Sequence, residues 1–146
     1  MNFCGELDQG PVSGADLFPY RASQMAAKAR RVAVVDDDPG VLRALRRLLR
    51  AANFEVEAYS SGTEFLMAES DAGLDCVVLD LHMPVTTGFD VQARLSQRGA
   101  TVPVVIITGD DTPEARARSL SLGAKRYLCK PIDEAALLSA IDSVTG

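Results

Sequence analysis

The stretch that most constrains this chain is Val77-Val78-Leu79-Asp80-Leu81-His82-Met83-Pro84. An apolar run bounded by Asp75 and Pro84 predicts a short strand buried on both faces, and such a strand belongs inside a parallel sheet. Asp80 takes the last position of that strand. A dry strand interior does not tolerate a charge, so this carboxylate must stand at the sheet edge, either capping the following turn or meeting a ligand. The other strand ends decide between the two.

Val32-Ala33-Val34-Val35 predicts a first strand that stops at Asp36-Asp37-Asp38. Pro39 suits the first turn of a helix, with Asp38 as its cap. Val41, Leu42, Leu45, Leu48 and Leu49 then recur at helical spacing. Arg43, Arg46, Arg47 and Arg50 take the remaining face, which reads as a solvated surface more readily than as a set of phosphate contacts. Phe54 to Tyr59 alternates between apolar residues and Glu55 and Glu57, as expected of a strand at a sheet edge. Ser61 to Glu69 predicts a short helix, and Asp71-Ala72-Gly73 a break.

After the Asp80 strand a loop runs through Pro84 to Gly88, and Phe89, Val91, Gln92 and Leu95 mark a third helix closed by Gly99. Pro103 to Thr108 predicts another buried strand, ending at Gly109-Asp110-Asp111. Thr112-Pro113-Glu114 opens a fourth helix that stops at Gly123. Tyr127-Leu128-Cys129 is a last short strand before Lys130-Pro131, and Asp133 to Val144 a last helix.

Five strands alternating with five helices through short loops predict an α/β fold, a flavodoxin-like doubly wound parallel sheet with strand order 2-1-3-4-5. In that order the strands ending at Asp36, Asp80, Thr108 and Lys130 are neighbours. All four residues fall at carboxyl ends, the edge where open α/β sheets bind ligands.

At 146 residues the chain suits one folded domain, taken as 31–146. Residues 1–30 read as an N-terminal extension, loose or partly helical: glycines and prolines punctuate the first twenty, while Ser23 to Arg30 suits a short helix. A formal charge of -5 gives no global attraction to nucleic acid or to an anionic membrane, so neither is expected as a direct partner. Three cysteines without a metal-binding spacing fit reduced thiols. No segment reads as a signal peptide or approaches the roughly 20 apolar residues of a membrane span, which makes the cytoplasm the expected compartment.

Asp36, Asp37 and Asp80 bring three carboxylates to one crevice, where repulsion raises at least one pKa unless a cation intervenes. Oxygen ligands in small number suit a magnesium ion, and no His or Cys pair is near enough to suit zinc. His82 is a lone histidine, better used through its backbone carbonyl. A hard ion beside a carboxylate and a lysine is suited to phosphoryl transfer. In such a site Asp80 is the nucleophile, Lys130 a point charge for phosphate oxygens, and Thr108 a hydroxyl donor to another.

The segments Val34-Val35-Asp36-Asp37-Asp38, Val78-Leu79-Asp80-Leu81-His82-Met83-Pro84 with Gly88, Ile107-Thr108-Gly109, and Gly123-Ala124 leading to Tyr127-Leu128-Cys129-Lys130-Pro131 resemble the receiver domains of two-component response regulators. The match runs from Arg31 to about Val144. It implies a signalling module for two-component phosphorelay, in which Asp80 accepts a phosphoryl group from a sensor histidine kinase or a phosphotransfer protein. It further implies that Mg2+ is held by Asp37 directly, by Asp36 chiefly through water, by Asp80, and by the His82 backbone carbonyl. Thr108 matches the switch hydroxyl, Lys130 the phosphate-binding lysine, and Tyr127 the aromatic that moves inward with the hydroxyl. The Lys130-Pro131 bond matches one that is cis in the family.

His82 and Asp110 occupy variable positions that influence phosphoryl lifetime in the family. The Ile-Thr-Gly variant is similar to receivers that often precede a DNA-binding output domain, which makes the receiver portion of a transcription regulator an alternative. The resemblance leaves the downstream partner unnamed and allows a homodimer formed on phosphorylation. A dehalogenase-like phosphatase would need a second acid where His82 stands. A nucleotide-binding domain would need glycines where Asp36-Asp37-Asp38-Pro39 stands. A phosphorylation-independent scaffold would be expected to lack part of the acid, hydroxyl and lysine set.

Overall fold

The computed structural model describes residues 29–68 and 73–146. The expected arm over 1–28, including most of the expected helix from Ser23, lies outside the described residues; Ala29 and Arg30 within them are not helical.

Five strands form one parallel sheet: β1 (Arg31–Val35), β2 (Glu55–Tyr59), β3 (Cys76–Asp80), β4 (Val104–Thr108) and β5 (Arg126–Cys129). Their order is β2-β1-β3-β4-β5, as expected from the alternation of elements. Between them run α1 (Pro39–Ala51), α2 (Gly62–Met67), α3 (Gly88–Gln97) and α4 (Pro113–Ser121), and α5 (Glu134–Thr145) follows β5. Strands β3 and β4 are buried at every position, which explains their unbroken apolar sequence. The alternating strand β2 is an edge. Phe54 falls just outside it and is buried instead beneath the Arg30 guanidinium, 4.5 Å from the ring centroid.

Side-chain alternation divides the core in two. On one face Ala33, Val35, Val77, Leu79, Val104 and Ile106 pack with Phe65, Val91, Leu95 and Ala115 from α2, α3 and α4. On the other, Val32, Val34, Cys76, Val78, Val105 and Ile107 pack with Leu45 and Leu49 of α1 and Leu137 and Ile141 of α5. Each fully buried leucine or isoleucine contributes about 1.5–3 kcal/mol against its exposed state.

The helix starts are set by short polar side chains. Asp38, Ser61, Thr87, Thr112 and Asp133 each accept from a backbone N–H of the first turn, and Thr87 forms a reciprocal capping box with Asp90. Gly99 and Gly123 close α3 and α4 with φ of 73° and 104°, a conformation that favours glycine. The Lys130-Pro131 peptide is cis. Every strand of the sheet therefore ends at the same edge, and that edge carries the polar residues.

Candidate functional site

At the carboxyl end of β1, Asp36 is completely buried; its Oδ1 accepts from the Asp38 amide at 2.9 Å. Asp80 closes β3 and is 3% exposed, with the His82 amide 3.5 Å from Oδ1. Asp37 is exposed beside them. One carboxylate oxygen from each of these three residues lies within 4.8 Å of the others. Lys130, carried past the end of β5, extends its ammonium between two of them, 2.8 Å from Asp36 Oδ2 and 3.6 Å from Asp80 Oδ1.

The electrostatics follow from this packing. Burial, then the Asp36 charge, pushes the Asp80 carboxyl up to about 6, although Lys130 pulls the other way. Burial alone would lower the Lys130 ammonium. Its contacts with Asp36 and then Asp80 more than reverse this, and its pKa is raised. Asp36 Oδ2 is buried, and the lysine ammonium 2.8 Å away is its counter-charge. Three converging carboxylates served by one ammonium leave negative charge and acceptor capacity unspent, and oxygen donors of this kind fit a hard divalent cation. The donor set is compatible with Mg2+.

Thr108 ends β4 next to the Asp80 strand and is completely buried, its Oγ1 accepting from the Asp110 amide at 3.1 Å. Asp110 and His82 are exposed at the rim, and the His82 ring stands edge-on to Phe89. Tyr127 lies in β5 opposite Ile106, two residue pairs before Thr108 and Cys129. Its hydroxyl is buried, burial and then the Asp111 carboxylate push its pKa up to about 12, and the Arg116 guanidinium covers the ring at 4.4 Å from its centroid. Apart from Tyr127, set two positions back along β5, the residues singled out from sequence thus lie along one end of the sheet.

Other residues shape the site without contributing a functional group, and of these only Gly88 was marked by the resemblance. A Cβ on Gly88 would lie 2.4 Å from the Asp80 carbonyl oxygen and 2.8 Å from Leu81 Cα, so this glycine lets α3 start against the end of β3. Arg116 and Arg118 cover Tyr127 and Phe89, both contacts from α4. Gln92 is buried and donates from Nε2 to the Ser119 carbonyl at 2.9 Å, joining α3 to α4. Gln92 reads in sequence as one more position on an apolar face, and only the neighbouring helix reveals its partner.

Comparison with known proteins agrees with this geometry. The family described as "Response regulator receiver domain" matches residues 32–142. The response regulator protein TodT of Pseudomonas putida is 34% identical over 117 residues, covering 80% of this chain and 52% of TodT. The transcriptional regulatory protein FixJ of Azorhizobium caulinodans is 33% identical over 115 residues, covering 79% of this chain and 54% of FixJ. The chain thus spans about half the length of these curated relatives. Among solved structures, the Vibrio cholerae chemotaxis protein CheY4 superposes with a TM-score of 0.74 at 29% identity, covering 80% of this chain and 99% of CheY4. The response regulator StyR gives 0.75 at 37% identity, covering 81% and 60%. With the sheet order, the acidic crevice and the matched span in agreement, the chain belongs to the response regulator receiver domains, signalling modules of two-component systems.

Proposed function

We propose that residues 31–146 form a phosphorylatable switch whose acceptor is Asp80. The observation that carries this reading is the convergence of Asp36, Asp37 and Asp80 within 4.8 Å, with the Lys130 ammonium between Asp36 and Asp80. A pKa of about 6 leaves most Asp80 carboxylates ionised at neutral pH and able to attack phosphorus. One carboxylate oxygen bonds to the phosphorus of a phosphohistidine, and the P–N bond breaks with its electron pair returning to the imidazole. The product is an acyl phosphate. Water later attacks the same phosphorus, releases inorganic phosphate and restores the carboxylate, so the domain takes part in both its phosphorylation and its dephosphorylation.

Mg2+ would be held by Asp36, Asp37, Asp80 and the His82 backbone carbonyl, and supplies charge neutralisation for the transferring phosphoryl oxygens. Lys130 neutralises another oxygen and Thr108 donates its hydroxyl to a third. The added charge, nearly two negative units, gives Thr108 a reason to leave its contact with the Asp110 amide, and the space it vacates is open to Tyr127. His82 and Asp110, both exposed, modulate access of the hydrolytic water in this reading and so the lifetime of the acyl phosphate.

The phosphodonor is a sensor histidine kinase or a phosphotransfer protein, and the downstream partner reads the surface of α4, β5 and α5, including a second copy if phosphorylation drives dimerisation. Direct contact with nucleic acid or membrane is not expected of a chain with this charge. Among the described residues no helix is long and apolar enough to cross a membrane, and a partner kinase of this class acts on the domain in the cytoplasm. A second reading, favoured by the name of FixJ as a transcriptional regulatory protein and by the half-length match, makes this chain the receiver portion of a transcription regulator.

Intact mass after incubation with a small-molecule phosphodonor tests the proposal, with and without magnesium, on this chain and on Asp80→Asn. A magnesium-dependent gain of one phosphoryl group, absent from the variant, is expected. A folded, unlabelled wild type beside an active donor would leave a phosphorylation-independent scaffold.

A further inference from the structure

Helix α1 carries Arg43, Arg46, Arg47 and Arg50 and no acidic residue. At about 100° per residue the four fall in one stripe along the helix, and all are exposed. Among the described residues none of them pairs with an acid. Beside the stripe runs a largely apolar groove between α1 and the loop into α5, lined by Val41, Ala44, Leu48, Pro131 and Ile132 together with the charged Asp38, Lys130 and Glu134. A basic stripe bordering an apolar groove fits an occupant that is acidic and apolar in alternation, and this chain contains one. Residues 1–20 hold Glu6, Asp8 and Asp16 with no lysine or arginine, interspersed with Phe3, Leu7, Val12, Leu17, Phe18 and Tyr20.

The point of attachment suits it. Arg30 is fixed at the base of the same sheet face, paired with Asp142 at 2.9 Å, bonded to Thr145 and stacked on Phe54. The 13 residues of α1 rise about 20 Å from that base to the site. Ten residues of connecting chain, 21–30, span up to about 33 Å when extended. Tethering also presents the arm at an effective concentration of order mM, which a separate acidic partner must exceed.

We propose that residues 1–20 dock in cis along the α1 arginine stripe and its groove. The docking is independent of whether Asp80 is phosphorylated, and its test uses no phosphodonor. A nitroxide on Cys4 of the full chain, in a Cys129→Ser background, reports on contact by amide line broadening; Cys76 is completely buried and does not compete for the label.

The expected result is loss of cross-peak intensity over residues 43–51 and at Ile132. Intensity should return in the E6Q/D8N/D16N variant, and also for the unsubstituted arm in high salt, where the Debye length falls to about 3 Å at 1 M. The salt arm needs no variant and guards against misfolding. Undiminished intensity on α1, broadening confined to another face, or broadening that grows with protein concentration overturns the proposal; the last would mean contact between copies.

Discussion

Lys130 meets the wholly buried carboxylate of Asp36 at 2.8 Å, closer than it comes to the acceptor candidate Asp80. The lysine is thus a structural counter-charge as well as a candidate phosphate ligand. Removing it strands a buried charge, which costs more than the pair itself contributes. Lys130→Met, which keeps the apolar stem, is expected to destabilise the metal-free protein by about 3 kcal/mol at pH 7. Adding Asp36→Asn should recover most of the loss. Urea unfolding of the two single variants and the double variant measures this coupling.

The division of labour at this site explains what could be read from sequence. Asp36, Asp80 and Thr108 were legible because each is a polar residue closing an apolar run, and strand order then brings those ends together. Ser61 marked the start of a helix, but that the missing side chain of Gly62 admits Thr86 and Val91 depends on how α2 meets the β3–α3 loop. Gln92 and the arginines over Tyr127 and Phe89 were illegible for the same reason. Their roles are set by a neighbouring helix, and no local pattern encodes the distance between helices. The exposed Val85, held at φ 66°, carries no sequence signal for that conformation, which β-branched residues rarely adopt.

Gly88 provides a sharper test of how tightly the site is built. Gly88→Ala would drive a Cβ into the backbone at Asp80 and Leu81, and neither atom can rotate away. Destabilisation of about 3 kcal/mol is expected, at the upper end of the range for overpacking. Gly109→Ala is the control, since its Cβ would meet only Lys130 Cδ at 3.8 Å. That change should be neutral or stabilise by up to about 1 kcal/mol through the unfolded chain. Thermal unfolding of the two variants at one pH separates a steric effect from the general effect of adding a methyl group.

Gln92 offers a different balance. Its amide donates to Ser119 but its buried Oε1 has no partner, and the Ser119 carbonyl also accepts from the Ala124 amide at 3.0 Å. Gln92→Met keeps the volume while removing the unpaired oxygen, so stability is expected to stay within about 1 kcal/mol of wild type. Gln92→Ala opens a cavity and should cost about 2 kcal/mol or more. If both variants lose the same amount in urea unfolding, the hydrogen bond outweighs the packing at the α3–α4 contact, contrary to this expectation.

The Asp80 carboxyl makes stability depend on pH in a direction opposite to that of an ordinary salt-bridged acid. Its folded pKa of about 6 lies above the ordinary aspartate value of 3.8, so between those values the folded protein binds more protons than the unfolded chain. Stability from this group is complete below the lower value and falls as pH rises toward the higher one. The loss at pH 7 amounts to about 3 kcal/mol, since a tenfold change in proton affinity is worth about 1.4 kcal/mol. Asp80→Asn cannot ionise and escapes the penalty. In chelator-treated buffer the variant should therefore match wild type near pH 4 and exceed it by about 3 kcal/mol at pH 7, with the difference developing below and around pH 6. Magnesium, bound by the ionised wild-type site, should narrow the gap at pH 7. Unfolding curves across this range in chelator and in magnesium measure both effects, and a difference independent of pH would mean that Asp80 is held by packing and not by its charge.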